Sequence, residues 1–317
     1  TRATVYEGVA LDANGAVAGT VTVKLGKPNK KGEMTVSATV KTLADKKTYT
    51  FKTESKKVSA DVSGPLALTL VGKNRKSKEH TFSLAIEGDA LTGAFDAFTV
   101  DGARNVFKVS KDPKRDRLAP FVGYWTFAFG TATSVEATCW AKVSKSGSVR
   151  VCCRLPDGTL MESRVKAEVG DGWIAVPLAG RKVAKGKVKT FAFRVAFDEV
   201  TRTVSAVNLA PVVIRDKKTD AVVSSTSVTP LAGGRPKLKK ADLKAMRLGI
   251  VGASGFSEAD RRSLTLKSTG RLMGTLTWKA DKAKGVVWGV DVDGVLYGSV
   301  YFSKTGETRA LVVGWEF

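Results

Sequence analysis

Apolar and polar residues alternate in short runs along most of this chain, as in GTVTVKLG, EMTVSATV, KTFAFRVAF and GVLYGSVYF. A period of two predicts half-buried β-strands, because successive side chains on a strand point to opposite faces. The runs recur as strand, polar turn, strand, second turn in three places. These are GTVTVKLGKPNKKGEMTVSATVKTLADKKTYTFK, ATCWAKVSKSGSVRVCCRLPDGTLMESRVKAEV and SLTLKSTGRLMGTLTWKADKAKGVVWGVDVDGVLYGSVYF. The first turn of each ends in Gly32, Gly147 or Gly270, so the pattern is a β-meander repeated three times. Related lead-in phrases, Val5-Tyr6-Glu7-Gly8 and Pro120-Phe121-Val122-Gly123, precede two copies.

The expected fold is therefore all-β, with consecutive antiparallel β-meander sandwich or barrel domains and one short helical insertion. Leu238, Ala241, Ala245 and Leu248 recur at helical spacing after Pro236, and a second helical turn can start at Ser257, which places the insertion near 236–262. Six charges and one proline in Lys111 to Arg117 mark the best boundary. The division expected is a β domain over 1–111, a charged linker over 112–117, and a second β domain over 118–317 that carries the insertion.

Length and composition agree with this picture. The 317 residues are 43% hydrophobic and 26% charged, ordinary values for folded domains. The longest uncharged run, Leu118 to Val135, is broken by Pro120, Gly123 and Gly130, which suits strands and a turn better than a membrane span. The first residue is Thr1 and no charged-then-apolar leader is present, so either a leader has been removed or the chain is a piece of a longer one.

Charge changes the picture of partners. There are 52 Lys and Arg against 30 Asp and Glu, a net +22, which attracts polyanions whatever the scaffold. Basic clusters occur at Lys27, Lys30 and Lys31, at Lys73, Arg75, Lys76 and Lys78, and at Arg235, Lys237, Lys239 and Lys240. They are scattered over loops, and no zinc finger, helix-turn-helix or RNP-type motif accompanies them, so sequence-specific nucleic-acid readout has no support. An anionic glycan, a cell-wall polymer or another polyanion is the partner class. Trp173, Trp288, Tyr297 and Tyr301 stand near glycine-rich turns and are the candidates for stacking on such a ligand. Trp125, Phe127 and Phe129, like Phe191, Phe193 and Phe197, alternate on one strand face and are expected in a core.

Catalytic signatures are sparse. The single histidine, His80, sits among charged neighbours and reads as solvent-exposed or as lying at a strand edge. Asp291 and Asp293 alternate onto one face about 7 Å apart, within the about 5–10 Å that paired catalytic carboxylates need. The simpler reading makes Asp293-Gly294 a hairpin turn and Asp291 an exposed strand residue. Gly249 to Gly255 lacks the lysine of a phosphate loop. No enzyme, cofactor or metal site is expected, since three cysteines and one histidine spread over the chain make no zinc ligand set. If Ser144 to Gly147 turn a hairpin, Cys139 falls opposite Cys152 or Cys153 depending on turn type, and a cross-strand disulfide competes with a buried free thiol.

The phrases Y-E-G…D-A-N-G…G-T-V-T-V, S-K-S-G-S-V-R-V…L-P-D-G-T and S-T-G-R-L-M-G-T-L…D-G-V-L-Y-G-S-V resemble the β-meander modules of long secreted or surface proteins of verrucomicrobial-type bacteria. The resemblance implies an extracellular or cell-surface, non-enzymatic structural or adhesive module. Self-association through edge strands is a further expectation. It rests on terminal strands over Ala3 to Ala10 and Arg309 to Phe317, the last ending in Trp315 and Phe317, and the simpler alternative, slightly preferred, is that such a strand closes its own sheet.

Overall fold

The computed structural model describes the chain except residues 1–3, 45, 53–57, 60–65, 74–78, 109–111, 132–133, 171, 236–237, 239–263, 278–281, 293 and 315–317. The fold is all-β and antiparallel. Strands β1 (Thr4–Leu11), β2 (Val17–Leu25), β3 (Glu33–Met34), β4 (Val36–Thr42), β5 (Thr48–Lys52), β6 (Val58–Ser59), β7 (Leu66–Lys73), β8 (Glu79–Glu87), β9 (Ala90–Phe95) and β10 (Phe98–Arg104) form the first unit. Eight of them close a barrel in the order β1-β10-β9-β8-β7-β5-β4-β2, while β3 pairs β6 beside it. An eight-stranded barrel is just wide enough for side chains to fill, and Val21, Val23, Val40, Phe51, Leu70, Phe82 and Phe95 pack together in its core.

A second unit follows. It contains β11 (Gly123–Gly130), β12 (Val135–Val143), β13 (Ser148–Arg154), β14 (Leu160–Lys166), β15 (Glu168–Val169), β16 (Trp173–Ala184), β17 (Lys187–Asp198), β18 (Val204–Val207), β19 (Val212–Asp216), β20 (Val222–Thr226) and β21 (Pro230–Gly234). One sheet runs β14-β13-β12-β11-β21, and the other runs β15-β16-β17-β19-β20 with β18 also on β17. Their inner faces meet in the largest core, where Trp125, Phe127 and Phe129 of β11 pack with Phe191, Phe193 and Phe197 of β17. The third unit is a single sheet of β22 (Thr265–Leu266), β23 (Arg271–Thr277), β24 (Lys284–Val292), β25 (Val295–Phe302) and β26 (Glu307–Gly314), in that order.

The turns that the glycines announce share one geometry. In the turns opening at Asp12, Asn29, Ser144, Leu155 and Lys267, the first residue's N–H donates to the carbonyl four residues on, and the glycine N–H donates back to the first residue's carbonyl. Gly15, Gly32, Gly147, Gly158 and Gly270 all have φ between 72° and 80°, the left-handed region that a tight turn ending in a bulge requires.

That turn decides the cysteine register. With Ser144–Ser148 closed in this way, Val143 pairs Val149 and Cys139 pairs Cys153. The two are disulfide-bonded with Cα atoms 4.2 Å apart, and Cys152, on the opposite face, is a buried free thiol. Thiol titration of the denatured, unreduced chain should therefore find one reactive group, and three would overturn the bond. Reduction is expected to cost about 3 kcal/mol, the value for closing a loop of this length.

Residues 113–121, which include most of the charged stretch after the barrel, form a 3-10 helix, Pro113–Phe121, capped by Asp112. Asp112 is buried, accepts from the Lys114 N–H and pairs with Arg104 at 2.7 Å. Arg104 and Lys114 both also bond Asp89. Apart from Leu238, the helical insertion expected near 236–262 lies outside the described residues, as do Trp315 and Phe317.

Candidate functional site

The sheet β14-β13-β12-β11-β21 uses both of its faces. Alternation sends Ala137, Cys139, Ala141, Val149, Val151 and Cys153 into the large core, and turns Thr138, Trp140, Arg150, Cys152, Arg154 and Glu162 the other way. The third sheet lies on that second face. Ala128 of β11 packs against Val290 and Val292 of β24 with Tyr297 alongside, and the Thr126 hydroxyl donates to the Asp291 carbonyl at 2.6 Å. Where β12, β13 and β14 face β23 and β24, a cleft of about 200 Å³ remains, lined by Trp140, Arg150, Arg154, Glu162, Arg271 and Trp288 among others.

The cleft is built from cations over indoles. The Arg271 guanidinium lies 4.1 Å from the Trp140 ring centre and that of Arg150 lies 5.5 Å from it, while Arg154 lies 5.1 Å from the Trp288 ring. Arg150 is held bidentately by Glu162, at 2.7 and 2.8 Å, and this hydrogen bonding keeps the Glu162 carboxyl below its usual range. Arg154 and Arg271 make no ion pair among the described residues. Burial pulls the Arg154 pKa down, and the like charge of Arg271 adds to that. Cys152 lines the same wall, but burial pushes its thiol up to about 11, which keeps it protonated and unreactive at neutral pH. The buried Trp288 indole N–H has no hydrogen-bond partner among the described residues.

Of the four aromatic candidates, only Trp288 reaches the cleft. Trp173 is 40% exposed at the start of β16, Tyr297 fills the seam between sheets, and Tyr301 is half-buried near Gly158. Trp288 is 5% exposed, so the expectation that it reaches the surface is corrected: the face of the third sheet that carries it packs down on the second unit.

The basic clusters divide. Lys27, Lys30 and Lys31 are exposed in the loop after β2, and Lys73 ends β7. Arg75, Lys76, Lys78, Lys237, Lys239 and Lys240 lie outside the described residues. Arg235 donates to the carbonyls of Pro120 and Val122, the latter at 2.6 Å, and lies over Trp125, so its guanidinium staples β21 to the start of β11.

Asp291 is only 2% exposed, not an exposed strand residue, because its face of β24 is the one turned away from the cleft and covered; Asp293 lies outside the described residues. His80 is not solvent-exposed either: its side chain is 9% exposed, packs edge-on against Tyr49 and pairs with Asp96 at 3.2 Å. Among the described residues no cluster of His, Cys, Asp or Glu could hold a metal, and no helix is long and apolar enough to cross a membrane.

Sequence reasoning missed Trp140, Arg150, Arg154, Glu162 and Arg271. The signal was present in part, since Trp140 alternates with buried Cys139, and Arg150 and Arg154 alternate with Val151 and Cys153. No family model matches the chain, and no curated protein matches its sequence.

Proposed function

We propose that this chain is a non-enzymatic binding and adhesive module of an extracellular bacterial surface protein, attaching to an acidic polymer through the cleft between the second and third units. The observation that carries the reading is the pair of guanidiniums, Arg154 and Arg271, held near each other without a carboxylate partner among the described residues. A charged group taken from water is normally paired, and two neighbouring cations leave a place for an external anion. The net charge of +22 draws polyanions toward the surface. The Cys139–Cys153 bond suits an oxidising compartment.

Titration of the full chain with polygalacturonate and with dextran sulfate tests this. Arg154→Gln with Arg271→Gln should weaken binding of at least one of these polymers about tenfold or more, since each charge-assisted contact is worth about 1.5–3 kcal/mol. Lys30→Gln with Lys31→Gln should change it far less. Equal losses from both pairs would assign the binding to generic surface charge and sink the cleft as its seat.

A further inference from the structure

The indole faces of the cleft are already occupied. Two guanidiniums lie over Trp140 and one over Trp288. Glu162 takes the N–H edge of Arg150, while the only side-chain hydrogen bond of Arg271 among the described residues is a weak one to the Met273 sulfur at 3.9 Å, which leaves most of its fork for a ligand. The tryptophans therefore hold the arginine forks in place instead of offering open platforms to a ligand. Proteins that bind single-stranded nucleic acid do the opposite, stacking successive bases on open aromatic faces along a basic groove.

Three other features narrow the ligand. The cleft volume of about 200 Å³ lies below the range of roughly 300–1,000 Å³ for drug-sized ligands, which suits one ring-sized unit. Leu160 of β14 and Met273 of β23 line opposite walls and are 41% and 44% exposed, unusual for large apolar side chains. They present apolar surface of the kind that the C–H face of a sugar ring covers. The unpartnered Trp288 N–H is a donor suited to a hydroxyl or ring oxygen.

Resting on the acidic-polymer reading above, we infer that the cleft receives one acidic sugar residue of a glycan, its carboxylate or sulfate forked by Arg154 and Arg271 and its ring face set against Leu160 and Met273. Arg150 is neutralised by Glu162 and serves as wall, so the recognition charge comes from the other two arginines. Bidentate guanidinium binding fits a planar carboxylate and a sulfate ester alike.

Competition against the bound acidic polymer decides the matter, with the intrinsic fluorescence of the full chain as readout. The competitors are glucuronate, glucuronate methyl ester, glucose 6-sulfate, inorganic tripolyphosphate and oligothymidylate. Glucuronate or glucose 6-sulfate should displace the polymer, and whichever does so identifies the anion source. The uncharged methyl ester should be about tenfold weaker than glucuronate where the carboxylate is the group recognised. Leu160→Asn, which removes the apolar face without adding charge, should weaken the effective sugar about tenfold, with circular dichroism unchanged, and leave tripolyphosphate where it was. Displacement by tripolyphosphate or oligothymidylate as strong as by the sugars overturns the sugar assignment and leaves the acidic-polymer reading standing. If neither polymer binds in a manner that depends on Arg154 and Arg271, both readings fall together.

Discussion

Phe193→Ala is expected to lower stability by about 3–5 kcal/mol, the usual cost of deleting a buried phenylalanine and leaving a cavity that closes only in part. Phe193 is fully buried at the centre of the aromatic group joining the two sheets of the second unit. Its ring centre lies 5.7 Å from that of Phe127, 5.2 Å from Phe129 and 5.3 Å from Phe191, so one deletion removes three ring contacts. Edge-to-face and tilted pairs add about 0.5–1.5 kcal/mol each beyond area burial. Urea denaturation followed by tryptophan fluorescence measures the effect through Trp125, itself buried in the same core. Val222→Ser on β20, where the valine is 53% exposed, should stay within about 0.5 kcal/mol. A loss under 1 kcal/mol for Phe193→Ala would mean that the sheets do not meet as described.

Much of this core was legible because alternation reports it directly. Trp125, Phe127 and Phe129 take every second position of β11, and Phe191, Phe193, Val195 and Phe197 do the same on β17. The turns ending in Gly15, Gly32, Gly147, Gly158 and Gly270 were equally readable, since a glycine at positive φ marks each, whereas those at Asp96 and Asp220 put a non-glycine residue there. What alternation does not carry is which strand faces become neighbours. The sheet containing β12 and β13 has two buried faces, and the outer one is covered by a sheet more than a hundred residues later in the chain. Trp140 and Trp288 therefore line one cleft between layers that no local pattern encodes, and their arginines come with them. Asp291 illustrates the converse, because a charged residue beside a turn looks exposed, yet in the folded sheet it is 2% exposed. The charge density of Lys111 to Arg117 marks a linker, yet Asp112 is taken into a network with Arg104, while Lys114 and Arg104 share Asp89. Arg104, eight residues earlier on the last barrel strand, offsets the burial of Asp112, and Asp89 on the β8–β9 turn, 25 residues before Lys114, holds both cations.

The seam between the barrel and the second unit supplies the last expectation, a pH-dependent stability centred on Glu168. This carboxyl, on β15, is 7% exposed and lies in a cavity lined also by Glu7, Arg164 and Lys166. Burial pushes its pKa up to about 7, and the negative charges of Asp101 and Glu7 act in the same direction. Arg194 pulls the other way, but its closest approach to Glu168 is 3.6 Å, and its other Nη atom donates to Asp101 at 2.7 Å. An acid with a raised folded pKa binds its proton more tightly when folded, so its contribution is fully present below the unfolded value of about 4.5 and is lost as pH rises through 7. The loss is about 3 kcal/mol over that window. Glu168→Gln keeps the shape and the amide's donor while removing the titration. The variant should therefore match the wild type near pH 4.5 and exceed it increasingly up to pH 8, read from urea midpoints at constant ionic strength. Parallel pH profiles for the two proteins would show that Glu168 is already ionised in the folded seam and that Arg194 stabilises it as an ion pair.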